Sequence, residues 1–201
     1  MFQILPMISR TVLAITAVML ISPTTVAQGE TEEEAYAKVI NERAAKMIEG
    51  MTFSDPDHGE RVKKVITDQY RMLRDLHAAR DAQIAAAKES PAAIASSEQQ
   101  SKLAVFEAHN RFLSRLSVEL ACDQVEQVKD GLTYGVVPRT YDAYLAQLPE
   151  LNDEQKRTIR AFLIEARELA MDGGSADEKH GVFRKYKGKI NNYLSAAGYK
   201  M

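Results

Sequence analysis

The chain has 201 residues, 26 basic and 28 acidic side chains, a formal charge of −2, and 45% hydrophobic residues. That near-neutral balance, with no aromatic–basic repeat, argues against nucleic acid as a partner. Cys122 is the only cysteine, so an intrachain disulfide is excluded and the core itself must hold the fold. Cys122 sits in a helical pattern among Leu120, Ala121 and Val125 and is expected to pack inside.

The N-terminal segment reads as a targeting signal. Arg10 supplies the positive charge, residues 11–21 form an apolar run, Ser22-Pro23 breaks it, and Thr25-Val26-Ala27 offers small residues for a peptidase. As a helix the run reaches roughly 16 Å, about half of a hydrocarbon core. Residues 1–27 are therefore expected to be a signal peptide cleaved after Ala27, and residues 28–201 a single domain. The expected location is the periplasm or the exterior, with no stable membrane insertion after cleavage.

Helical periodicity dominates the rest of the chain. Thr31-Glu-Glu-Glu34 has capping-box spacing and opens a helix over 32–51. Ser54-Asp-Pro-Asp57 is a turn and helix start, with Pro56 suited to the first turn. The second helix spans about 57–88 on a stripe of Val62, Val65, Ile66, Met72, Leu73, Leu76 and Ile84, until Ser90-Pro91 ends or kinks it. A third runs over about 98–130 with Leu103, Phe106, Leu113, Leu116, Leu120 and Val128 inward. Residues 131–138 read as a loop whose glycines allow close approach of a ligand or a helix. A short helix at 140–147 comes next, then one from Asn152 to Met171, stopped by Asp172-Gly-Gly-Ser175. The last spans about 177–196, with Gly188 inside it at a close helix crossing and Gly198 as its cap. With no strand series, the class is all-α: an irregular antiparallel bundle of about six helices.

Three polar groups are candidates for a site. Tyr70, His77, Arg80 and Asp81 lie on the second helix, and Tyr70, Leu73, His77 and Asp81 share one face. An ionised Asp81 on that face needs a partner, so the group is either a buried network or a ligand site. Glu126, Lys129, Asp130 and Tyr134 form the second group; carboxylates four apart can serve acid–base sugar chemistry, hold a metal or make ion pairs. The third is C-terminal: His180, Tyr186, Asn191, Asn192 and Tyr193 accompany Arg184, Lys185, Lys187 and Lys189, a basic segment able to receive a carboxylate or sulfate. His180, Phe183, Lys187 and Ile190 fall on one helical diagonal, and the helix is expected to dock as a cap on the second helix. The four histidines are scattered, with no His-Glu-x-x-His run, so neither a metal nor a cofactor is expected.

Gln69-Tyr-Arg71, Ala79-Arg-Asp81, Glu126-Gln-Val-Lys-Asp-Gly131, Thr133-Tyr-Gly135, Ala166-Arg-Glu168, Ala170-Met-Asp172 and the 178–199 segment resemble an uncharacterised family of secreted bacterial proteins met in Bacteroides-like organisms. The resemblance implies a setting of plant polysaccharide use and assigns no catalytic residue. Leu151-Asn-Asp-Glu-Gln155 is also similar to the Leu-Thr-x-x-Gln motif of Spy- and CpxP-like periplasmic proteins, with Asn152 departing from it. The expected function is binding or processing of an acidic saccharide; the alternative is a chaperone or envelope-stress interaction protein without catalysis. Whether the chain is an enzyme stays open at this level, as does any catalytic residue.

Overall fold

In a computed structural model that describes residues 30–88 and 90–201, the helical periodicity becomes seven α-helices, with no strand among the described residues. They are α1 (Glu32–Met47), α2 (Pro56–Ala86), α3 (Pro91–Glu119), α4 (Cys122–Leu132), α5 (Val136–Gln147), α6 (Asp153–Ala170) and α7 (Ala176–Ala196). The expected all-α, irregular, antiparallel bundle is what forms. Residues 32–201 make one compact unit. The expected signal peptide and its cleavage point lie outside the described residues. No helix among the described residues is long and apolar enough to cross a membrane.

Several boundaries follow local chemistry. Asp55 accepts the His58 N–H at 2.7 Å and Pro56 takes the first helical position of α2. Ser90 caps α3 with Pro91 at its start, seven residues earlier than expected. Asn152 and Gln155 form a reciprocal capping box on α6. Ser175 caps α7, and Gly198 (φ +93°) closes it while Tyr199 N–H returns to the Leu194 carbonyl.

The expected third helix is two helices. It breaks at Leu120 and Ala121, both extended, with no glycine or proline at the break. The His58 imidazole reaches across from α2 and donates from Nε2 to the Glu119 carbonyl at 2.6 Å, satisfying a helix-end acceptor. Cys122, expected inside, begins α4 and is exposed. The expected 131–138 loop shrinks to the turn between α4 and α5, because Gly131 and Leu132 remain helical and Val136 already starts α5. The close approach at Gly131 is to a helix: a Cβ there would sit 2.6 Å from Met47 Cγ. Gly188 has no such neighbour, so the close crossing expected there is absent.

Packing divides the apolar side chains into two cores. One gathers α1–α4 around Ala44, Val62, Ile66, Phe112, Leu116 and Val128. The other gathers α5–α7 around Tyr144, Ile159, Leu163, Phe183, Ile190 and Leu194. Met171, at the end of α6, is buried in the first core. Each fully buried aliphatic side chain contributes about 1.5–3 kcal/mol relative to exposure. Beyond Leu73 in α2 and before Ala108 in α3 no described residue of either helix is buried, so these two helices project as an arm. Leu103 and Phe106, expected in the core, stand on that arm 58% and 62% exposed. The C-terminal helix packs along α6 rather than capping α2; its first turn reaches α2 through Glu178 and Lys179.

Candidate functional site

Between the two cores runs a seam of charged groups. Arg167 of α6 is 3% exposed and is surrounded by carboxylates. Its guanidinium donates to Asp130 at 2.8 Å, to Glu126, and to Glu168 at 3.2 Å. Lys129 bridges Glu126 at 2.8 Å and Glu168 at 2.9 Å. Burial pushes the Glu126 carboxyl up, but Lys129 and Arg167 outweigh it and hold the group below its ordinary range. The paired carboxylates of α4 are thus the acidic half of an ion-pair network joining α4 to α6.

The seam continues through Asp172, between α6 and α7. His109 Nδ1 contacts its Oδ2 at 2.8 Å, and His77 Nε2 donates to its backbone carbonyl at 2.8 Å. Because a carbonyl only accepts, His77 carries a proton on Nε2. His77 Nδ1 and Asp172 Oδ1 are buried without a hydrogen-bond partner among the described residues. The hydrogen bond that His109 donates to Asp172 raises the His109 pKa above its ordinary value; burial opposes this, the Asp172 and Glu168 charges add to it and Lys129 subtracts. A raised histidine pKa stabilises the fold below the unfolded value, and that contribution is lost as pH rises through the folded value. Denaturant unfolding from pH 5 to 8 should therefore show a fall in stability with rising pH that His109→Gln flattens.

His77, Arg80 and Asp81 line a cleft of about 850 Å³ between the arm and the α6–α7 turn, which Phe106, Leu169 and Asp172 also line. Asp81 does not face the core: it is exposed and paired with neighbouring Arg80 at 2.8 Å, while Arg80 also lies 3.6 Å from Glu178.

A second locus forms where the α4–α5 turn meets α7. The Tyr134 ring stacks on His180, centroids 5.6 Å apart and planes at 22°. Tyr134 holds a left-handed backbone (φ +59°), as does Gly135 (φ +63°). For a tyrosine this conformation costs on the order of 1–2 kcal/mol. Arg139 secures the turn by donating to both the Tyr134 and Gly135 carbonyls. On the α1 side, Tyr134 lines a hollow with Arg43, Lys46, Met47, Tyr70 and Gly131. On the α7 side, His180 lines another with Val136, Arg139, Thr140, Arg184 and Lys187. Among the described residues no carboxylate lines either hollow.

The sequence-predicted residues therefore separate. Tyr70, Tyr134 and His180 gather at the stacked ridge; His77, Arg80 and Asp81 gather at the arm cleft; Glu126 belongs to the seam. Of the other C-terminal residues expected in the site, Tyr186, Asn191 and Tyr193 serve packing. Tyr186 is buried in the α5–α7 core, its phenol pushed up to about 12 by burial and by neighbouring Glu165. Asn191 accepts the Tyr144 hydroxyl at 2.7 Å, Tyr193 sits edge-on to Phe162, and Asn192 is exposed.

Arg139, Arg167, Asp172 and Lys179 lie outside the set expected from sequence. Two of them leave a legible signal there. Lys179 falls in line with Phe183, Tyr186, Ile190 and Leu194, all buried, and Arg167 follows Leu163 by one turn; a cation on a core stripe marks a buried partner. Lys179 Nζ donates to the Leu132 carbonyl at 3.0 Å and the Met171 carbonyl at 3.3 Å, and burial pushes its pKa down to about 8. Among the described residues no group of three or more His, Cys, Asp or Glu is placed to hold a metal ion.

Comparison with protein families matches residues 37–201 to "Protein of unknown function (DUF3826)", and the chain belongs to that family. The match runs from the first turns of α1 to the C-terminus and so includes the seam, the ridge and the cleft. No curated protein matches the chain.

Proposed function

We propose that this DUF3826 protein is exported to the periplasm or beyond and binds an acidic carbohydrate-derived ligand at the Tyr134–His180 ridge. The observation that carries this reading is the lining of the two hollows beside the ridge, where cations and aromatic rings stand together without a carboxylate. Rings offer apolar faces to sugar C–H groups, and Arg or Lys pairs with carboxylate or sulfate. Tyr134 held in a left-handed turn supports the reading, since backbone strain of this kind gathers at ligand-binding positions. The reading is one of binding: His180 is engaged in a stack, and His77 donates its Nε2–H to a backbone carbonyl.

Calorimetric titration of the protein lacking residues 1–27 with uronic-acid oligosaccharides tests this. Binding should weaken with added salt, as expected for exposed charge contacts. Tyr134→Ala should weaken it at least about tenfold, equivalent to about 1.4 kcal/mol. Equal affinity for neutral glycans, or no heat with any acidic saccharide, would sink the proposal.

The arm favours a second reading, an interaction protein of the envelope. Leu103, Phe106 and Leu169 are large apolar side chains more than half exposed, and such groups mark contact surfaces when they cluster. Suppression of client-protein aggregation that disappears in Phe106→Ser, without any saccharide response, would favour this reading over the first.

A further inference from the structure

The ridge has two sides, and each is built for negative charge. The α1-side hollow, about 490 Å³, presents Arg43 and Lys46 beside the Tyr70 and Tyr134 rings. The α7-side hollow, about 500 Å³, presents Arg139, Arg184 and Lys187 beside His180. Tyr134 belongs to the first and His180 to the second, so their stacked rings form the wall the two hollows share. Neither Lys46 nor Lys187 has an ion-pair partner among the described residues, and Arg184 has only a loose contact with Asp177 at 3.8 Å.

We infer that the ligand straddles this wall and places one anionic group in each hollow. The smallest ligand that fills the site is then a saccharide with two acidic groups on neighbouring units, one for each side of the stacked pair. This inference rests on the proposed saccharide binding and adds a subsite to it. The physical reason is additive weakness. A single exposed ion pair contributes little against water and salt. Two pairs on one ligand make the second contact intramolecular, and affinity rises by effective concentration without stronger individual contacts.

The test is a chain-length series of monouronate, diuronate and triuronate, run beside a neutral disaccharide and its disulfated form, on the wild type, Lys46→Ala and Lys187→Ala. Both lysines are exposed, so their removal spares the fold. Diuronate is expected to bind at least about tenfold more tightly than monouronate, with little gain on going to triuronate. Each lysine substitution should lower diuronate affinity several-fold, and the double substitution should bring it to the monouronate level. The disulfated disaccharide should bind and its neutral parent should not; comparing it with diuronate separates sulfate from carboxylate as the anion. Monouronate binding as tightly as diuronate, or Lys46→Ala leaving diuronate affinity unchanged, would overturn the two-subsite inference while the saccharide reading stands. Failure of every acidic saccharide to bind would remove both.

Discussion

Replacing Arg167 with alanine is expected to lower the free energy of unfolding by about 3 kcal/mol, the lower end of the range for breaking a buried ion pair. The lower end applies because Glu126, Asp130 and Glu168 are 49%, 32% and 28% exposed and regain water once the guanidinium is gone. For a chain of this size the loss corresponds to a melting temperature lower by about 6–12 °C. Its pH signature distinguishes it from a packing defect. The Glu126 pKa is held low in the fold, so its contribution is present above the unfolded carboxylate value and is lost as pH falls. The gap between wild type and Arg167→Ala should therefore narrow in acid. Arg167→Lys should fall between them, since an ammonium keeps the charge but cannot span three carboxylates as a planar fork does. Chemical denaturation at neutral and acid pH measures both effects.

Lys179 produces the second large effect, of opposite sign. Its folded pKa of about 8 lies below the 10.5 of an unperturbed lysine. Between those values the unfolded chain holds a proton that the native chain has released, so stability rises with pH. The gain should be about 2 kcal/mol between pH values of about 8 and 9.5. Lys179→Met should abolish that slope. The slope is the readout rather than the absolute stability, because methionine also strands the Leu132 and Met171 carbonyls that the amine serves. A wild-type profile flat from pH 8 to 9.5, or a slope that survives in Lys179→Met, would contradict the assignment. Stopping at about pH 9.5 limits the share of the tyrosines, whose raised pKa values at Tyr36, Tyr70, Tyr144 and Tyr186 act in the opposite direction.

Particular elements show why part of the fold is legible in the sequence. The ends of α2, α6 and α7 carry their own instructions in Asp55-Pro56, Asn152 with Gln155, and Ser175, since cap hydrogen bonds are local. The break at Leu120 is not legible, because the group that satisfies the Glu119 carbonyl is His58, 61 residues away. Leu103 and Phe106 have regular helical spacing, but periodicity describes a face and not whether another element covers it. The ridge is half legible. Tyr134 and His180 each stand out in the sequence, yet their stacking depends on the path of the chain between them, and Arg139, which fixes the turn, has no neighbour in sequence that announces it.

The polar character of the seam has a mechanical consequence. Apolar faces tolerate sliding, since displaced contacts are replaced by similar ones. Directional bonds such as Arg167 to Asp130, Lys179 to Leu132 and His109 to Asp172 fail after a shift of about an ångström. The two cores are thus held in registration by a few keyed positions, much as dowels align two plates. Tyr134 rides on the turn that leaves the first plate and His180 on a helix of the second. The alignment of their rings is thereby set by side chains that line neither hollow beside the ridge, and a substitution in the seam would reach the ridge as misalignment.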